Sequence, residues 1–139
     1  MFGTRSLDHP DLGPMARRGR NWHGLLAVSA SCTVPLVLPG PRSGPDAAAA
    51  ALAIMDGRAL GELNALALDA IADEEPMAPS PTDSTLLARI TPVHATVIRL
   101  DGQPTFELGY RAPWDDEHTI GARFRDGALV DLCGSVASF

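Results

Sequence analysis

Val97-Ile98-Arg99-Leu100-Asp101-Gly102-Gln103-Pro104-Thr105-Phe106-Glu107-Leu108-Gly109-Tyr110 is the stretch on which the fold turns. Two extended runs, 97–100 and 105–110, flank Asp101-Gly102. An Asp-Gly pair between alternating segments signals a tight hairpin, because both central residues of such a turn take positive φ. The signal repeats downstream, where 119–125 and 129–132 flank Asp126-Gly127. Two hairpins in succession predict a meander of about four strands. Phe106, Leu108 and Tyr110 alternate onto one face, as do Ile120, Ala122 and Phe124, and that apolar face calls for a cover. In the second hairpin a bulged three-residue loop sets Phe124 opposite Val130, Ala122 opposite Leu132 and Arg123 opposite Asp131. A two-residue loop would set Ala122 against Asp131, so the bulged register matches apolar and opposite-charge pairs better.

The cover lies upstream. Residues 46–73 are rich in Ala and Leu, and at about 100° per residue Leu52, Ala59, Leu60, Leu63, Leu66, Ala67, Ala70 and Ile71 share a face. Arg58, Glu62, Asp69 and Asp73 fall off it. Ser43 or Asp46 can cap the helix start. Asp56 intrudes on the apolar face next to Gly57, which predicts a kink or break near 56–57. Residues 76–84, Pro-Met-Ala-Pro-Ser-Pro-Thr-Asp-Ser, read as a Pro-rich connector that can be neither helix nor central strand. Further out, 22–28 and 33–38 read as two strands, closed by Pro39-Gly40-Pro41, since two prolines cannot keep donating to a ladder. The expected fold is α+β: an antiparallel sheet, made of an N-terminal strand pair plus a C-terminal meander of about four strands, packed on one long amphipathic helix. Residues 1–20 are expected to be a poorly ordered lead-in, and 21–139 a single α+β domain with the connector at 76–84.

Composition agrees with a globular chain. The 139 residues are 45% apolar and 20% charged, near the average for packed domains and unlike disordered or coiled-coil chains. There is no Lys; 11 Arg face 17 acidic residues for a net charge of −6, divided as +3 over 1–45 and −9 over 46–139. A body at −9 repels phosphate, and Arg17, Arg18 and Arg20 are too few to make a nucleic-acid domain. No run approaches the roughly 20 apolar residues that cross a bilayer. The expected partner is therefore a protein, basic in charge, rather than nucleic acid or membrane; no cofactor and no metal is expected.

Cys32 and Cys133 are too few for a disulfide scaffold in a chain of this length, and free thiols in a reducing cytoplasm are the default. A competing reading begins at Met15, with Arg17, Arg18 and Arg20 as a basic segment, 24–28 as a short apolar stretch and Ser29-Ala30-Ser31-Cys32 as a crude lipoprotein cleavage site. The apolar stretch sits near the minimum of about seven residues, so the cytoplasmic reading is preferred.

Pro113-Trp114-Asp115-Asp116-Glu117-His118 is the densest functional-looking stretch, with an aromatic, three carboxylates and an imidazole at a corner between two strands. As a metal site it is incomplete. Alternation puts Asp116 and His118 on one side and Asp115 and Glu117 on the other, so His94, His23 or Asp131 would have to supply further ligands. As a catalytic site, His118 would act as base for Cys133, giving a small metal-dependent or Cys-His hydrolase as the alternative function. The plain reading is a structural corner in which Trp114 packs at the sheet edge, Asp115 or Asp116 caps the turn, and His118 bonds a neighbouring carboxylate. His9 and His94 read as incidental.

Trp114-Asp115-Asp116-Glu117-His118-Thr119-Ile120-Gly121, followed by Arg125-Asp126-Gly127, Val130 and Gly134, resembles the terminal hairpin of an uncharacterised bacterial domain family that ends in Trp-Asp-x-Glu-His-Gly-Leu-Gly. Thr119 stands where that motif has Gly. The strand around Trp22 and Gly24, the run 34–38 and the long helix follow a similar order, so the resemblance extends from about residue 20. Such proteins are likened to the immunity proteins of bacterial toxin systems. The resemblance implies a non-enzymatic, immunity-like binding protein with no catalytic residue to carry over. Trp114, Asp115, Asp116, Glu117 and His118 are the expected partner-binding residues.

Overall fold

In the computed structural model, residues 5–30, 32–74, 90–112 and 115–134 are described, with the backbone alone at 74, 115–118 and 133–134. The chain order is β1 (Arg5–His9), β2 (Gly13–Arg18), β3 (Asn21–Ser29), β4 (Cys32–Pro39), α1 (Ala47–Arg58), α2 (Leu60–Glu74), β5 (Thr91–Leu100), β6 (Gln103–Ala112), β7 (Asp115–Arg125) and β8 (Ala128–Gly134). All eight strands lie in one sheet in the order of the sequence. Every neighbouring pair is antiparallel except β4 and β5, which run parallel through Leu36 opposite Ala95 and Val37 opposite Thr96. A parallel pair cannot be joined by a tight turn and needs a crossover, which is where α1 and α2 sit.

This corrects the expected α+β class: the chain is mostly sheet, with eight strands in one sheet and two short helices among the described residues, and the expected architecture fails in two places. The sheet is not a strand pair plus a four-stranded meander, because the stretch read as lead-in supplies β1 and β2, paired through Leu7 opposite Met15. Of these two strands, β2 buries one apolar side chain, Met15, and Leu7 in β1 is half-buried among Arg, Ser, Asp and His, so their alternation is too sparse to stand out. Gly13 and Gly19, both at positive φ, make the turns. Nor is there one long helix among the described residues. Ala59 leaves helical geometry at φ −105° and ψ 18°, and its N–H bonds the carbonyl of Asp56, three residues back. The 12-residue α1 ends there and the 15-residue α2 begins at Leu60, slightly beyond the expected break near 56–57. The connector 76–84 lies outside the described residues.

Local chemistry accounts for the rest of the frame. Asp46 caps α1, its carboxylate accepting from the Ala49 N–H at 3.0 Å. Asp101-Gly102 and Asp126-Gly127 both turn with positive φ at each residue, as a two-residue hairpin demands. The second hairpin keeps Arg123 opposite Asp131 and Ala122 opposite Leu132 by a different route from the expected three-residue loop. Phe124 pairs with Leu129, and Val130 is the extra residue of a bulge, with its side chain half-exposed.

One face of the sheet carries the core. Trp22, Leu36, Leu38, Phe106, Leu108, Tyr110, Ala122 and Phe124 are buried there with Ala49, Ala50, Ala53, Leu63, Ala67 and Ile71 from the helices. Alanines along α1 let the helix backbone approach the strands, while the larger side chains come from the sheet. Leu66, which the helical wheel places with the core, is 43% exposed. The stretch 24–28, the apolar segment of the lipoprotein reading, lies within β3. No helix among the described residues is long and apolar enough to cross a membrane.

Candidate functional site

Because the registers of all eight strands are fixed, the face away from the helices can be followed residue by residue. One row runs Ser6, Ala16, His23, Val37, Thr96, Glu107, Arg123 and Asp131 from β1 to β8. Alternation puts all of these opposite the core.

The C-terminal half of that row is a buried ionic ladder. Glu107 is fully buried, and its two carboxylate oxygens accept from opposite sides: Oε1 from His94 Nε2 at 3.1 Å and Oε2 from Arg123 Nε at 3.0 Å. Arg123, itself buried, continues the ladder from Nη1 to Asp131 Oδ2 at 3.0 Å, and Asp131 reaches solvent. Gly109 makes room for this arrangement, since a Cβ there would collide with the His94 ring. Around the ladder, Thr96 donates its hydroxyl to the Val37 carbonyl at 2.6 Å, tying β5 to β4. Arg125 donates to Thr105 Oγ1 at 3.1 Å and to the Leu100 carbonyl at 2.9 Å. Charges taken out of water are costly unless paired, and the two buried ones of the ladder, Glu107 and Arg123, pair with each other. With both its oxygens engaged, Glu107 is built to fix register rather than to take a proton from a substrate.

The N-terminal half of the same face is open. Ser6, Asp8, Pro14, Ala16, Arg18, His23 and Leu25 line a shallow cleft of about 640 Å³ across β1, β2 and β3. Leu25 is 66% exposed. Burial, and then the Arg18 guanidinium, hold the His23 imidazole below its usual pKa, which favours the neutral ring.

On the other side of the molecule α2 turns Glu62, Leu66, Asp69 and Asp73 outward at i, i+4, i+7 and i+11, a single stripe along the helix. Two polar groups point inward. Tyr110 donates its hydroxyl to Asn64 Oδ1 at 2.7 Å, and burial pushes the phenol well above its ordinary range. Asp56 is 3% exposed, and its Oδ2 has no hydrogen-bond partner among the described residues. Burial first, and the Asp126 carboxylate second, raise its pKa above the usual carboxylate value.

Of the expected site, Trp114 lies outside the described residues, and Asp115, Asp116, Glu117 and His118 are described as the backbone of β7, whose first residue pairs with Ala112. The side chains of His118 and Cys133 lie outside the described residues too. Among the described residues no three of His, Cys, Asp and Glu gather where a metal ion could be held. His23 and His94 sit in different rows and on different strands, and Asp131 joins Arg123 instead of an imidazole.

Sequence reasoning misses the ladder because His94 reads as incidental and because the alternation within one strand does not show which polar residues pair across strands. The hairpin turn does carry the signal: Asp101-Gly102 places Glu107 opposite Thr96, two residues from His94. No protein family, curated protein or solved structure matches the chain.

Proposed function

We propose that the protein is a cytoplasmic, non-enzymatic binding protein, immunity-like in role, that offers an acidic surface to a basic protein partner. The observation that carries this reading is the outer stripe of α2. Glu62, Asp69 and Asp73 lie in solvent on either side of the exposed Leu66, and the last turn of the helix holds no basic residue. Three carboxylates at a helical surface steer a cationic partner by long-range attraction, and one central apolar side chain gives the contact a desolvated anchor. Acids near a helix C-terminus oppose the macrodipole and cost helix stability, which suits a surface kept for another purpose. Trp114, Asp115, Asp116, Glu117 and His118 are proposed as a second part of the same acidic contact. The Cys32 thiol, free among the described residues, supports the cytoplasmic part of this reading.

The test is affinity capture from the host with the native chain and with a Glu62→Arg, Asp69→Arg, Asp73→Arg variant, each at low and high salt. The native chain is expected to enrich a basic protein at low salt, and the variant to lose it. Equal capture by both chains, or none by either, overturns the reading.

A further inference from the structure

The cleft on β1–β3 belongs to the face opposite α2, and its charges are arranged differently. Along β2 the positions Pro14, Ala16 and Arg18 all point away from the core, with Asp8 beside Pro14, Ser6 and His23 flanking Ala16, and Arg18 at the far end. Ala16 is the smallest side chain of the three, so the floor dips at the middle. Asp8 and Arg18 are thus four residues apart along the strand direction, about 13 Å at the rise of an extended chain. A volume of about 640 Å³ falls within the range of clefts that hold a short ligand. The exposed Leu25 beside the floor offers apolar contact.

We propose that this cleft docks an extended segment of a partner protein that carries a carboxylate and a basic side chain four residues apart. The carboxylate meets Arg18, whose guanidinium gives it a charge-assisted bond. The basic group meets Asp8. Between them a small or apolar residue lies over Ala16, where Ser6 and His23 offer hydrogen bonds, and Leu25 gives apolar contact at the Asp8 end. An extended segment repeats at the same rise as β2, so both charge contacts form together without bending it. A wholly acidic segment would place a carboxylate against Asp8, and a wholly basic one a cation against Arg18; each is disfavoured by like charge. The proposal does not depend on the acidic stripe of α2.

The probes are three blocked pentapeptides, Glu-Ala-Val-Ala-Arg, Glu-Ala-Val-Ala-Glu and Arg-Ala-Val-Ala-Arg, titrated into the full chain while its backbone amide resonances are followed. The mixed peptide is expected to give saturable shifts confined to residues 6–25 and to bind tighter than the other two. Arg18→Ala is expected to weaken it about tenfold, the loss of one charge-assisted contact. Arg99→Ala, on β5, is expected to leave it unchanged. Asp8→Asn is expected to erase the preference for Glu-Ala-Val-Ala-Arg over Glu-Ala-Val-Ala-Glu while the chain stays folded. Shifts spread over α2 or β8, equal losses from Arg18→Ala and Arg99→Ala, or no binding of any peptide overturn the proposal. So does a concentration-dependent dimer that Leu25→Asp dissolves, which would assign the cleft to a second copy of the chain.

Discussion

On the helix-free face of one continuous sheet, β5–β8 and β1–β3 present the same pleat positions to opposite ends. In the C-terminal half His94, Glu107, Arg123 and Asp131 stand on successive strands in complementary order, so each bonds its neighbour; His94, Glu107 and Arg123 leave water, and Asp131 at the end reaches it. In the N-terminal half Asp8 and Arg18 are separated by two pleat rows, and both remain in solvent around a shallow cleft. In the first half the charges stand close enough to pair, and in the second they do not. A buried ion pair adds little over a well-packed apolar pair, but it is costly to break, and it penalises any strand register that separates the partners.

Removing the shared acceptor breaks the contrast most severely. Glu107→Ala leaves His94 and Arg123 without it and is expected to cost about 3–5 kcal/mol in chemical unfolding. Gly109→Ala sharpens the comparison from the backbone side. The added methyl must displace the His94 ring, at about 1–3 kcal/mol for an overpacked site, and is expected to shift the His94 ring resonances.

Asp56→Asn carries the smallest effect and the opposite sign. Because the folded-state pKa of Asp56 is raised above its unfolded value, its favourable contribution is complete below that unfolded value and is lost as pH rises through the folded one. Once ionised, the buried carboxylate, with Oδ2 unpartnered among the described residues, is a burden. Asn is therefore expected to stabilise by about 1 kcal/mol at pH 7, and thermal unfolding at successively lower pH is expected to show the gain shrinking as Asp56 protonates.

Much of the C-terminal half was legible. Two Asp-Gly pairs set two hairpins, and charge and apolar matching alone set Arg123 opposite Asp131, as the structure has it. The N-terminal half was less so, since Leu7 and Met15 are single apolar positions in strands that otherwise look like solvated loop. The helix break was hard to place because Ala59 has no intrinsic reason to end a helix. The ladder escaped because pairing across strands depends on register, which a single strand's alternation does not contain.

The central claim is that one row of side chains is sealed and structural in β5–β7 and open in β1–β3. Glu107 and His23 occupy the same row in the two halves, and urea unfolding of Glu107→Ala and His23→Ala side by side compares them directly. The account predicts a loss of about 3–5 kcal/mol for Glu107→Ala and a change within about 0.5 kcal/mol for His23→Ala. Comparable losses in the two variants would contradict it.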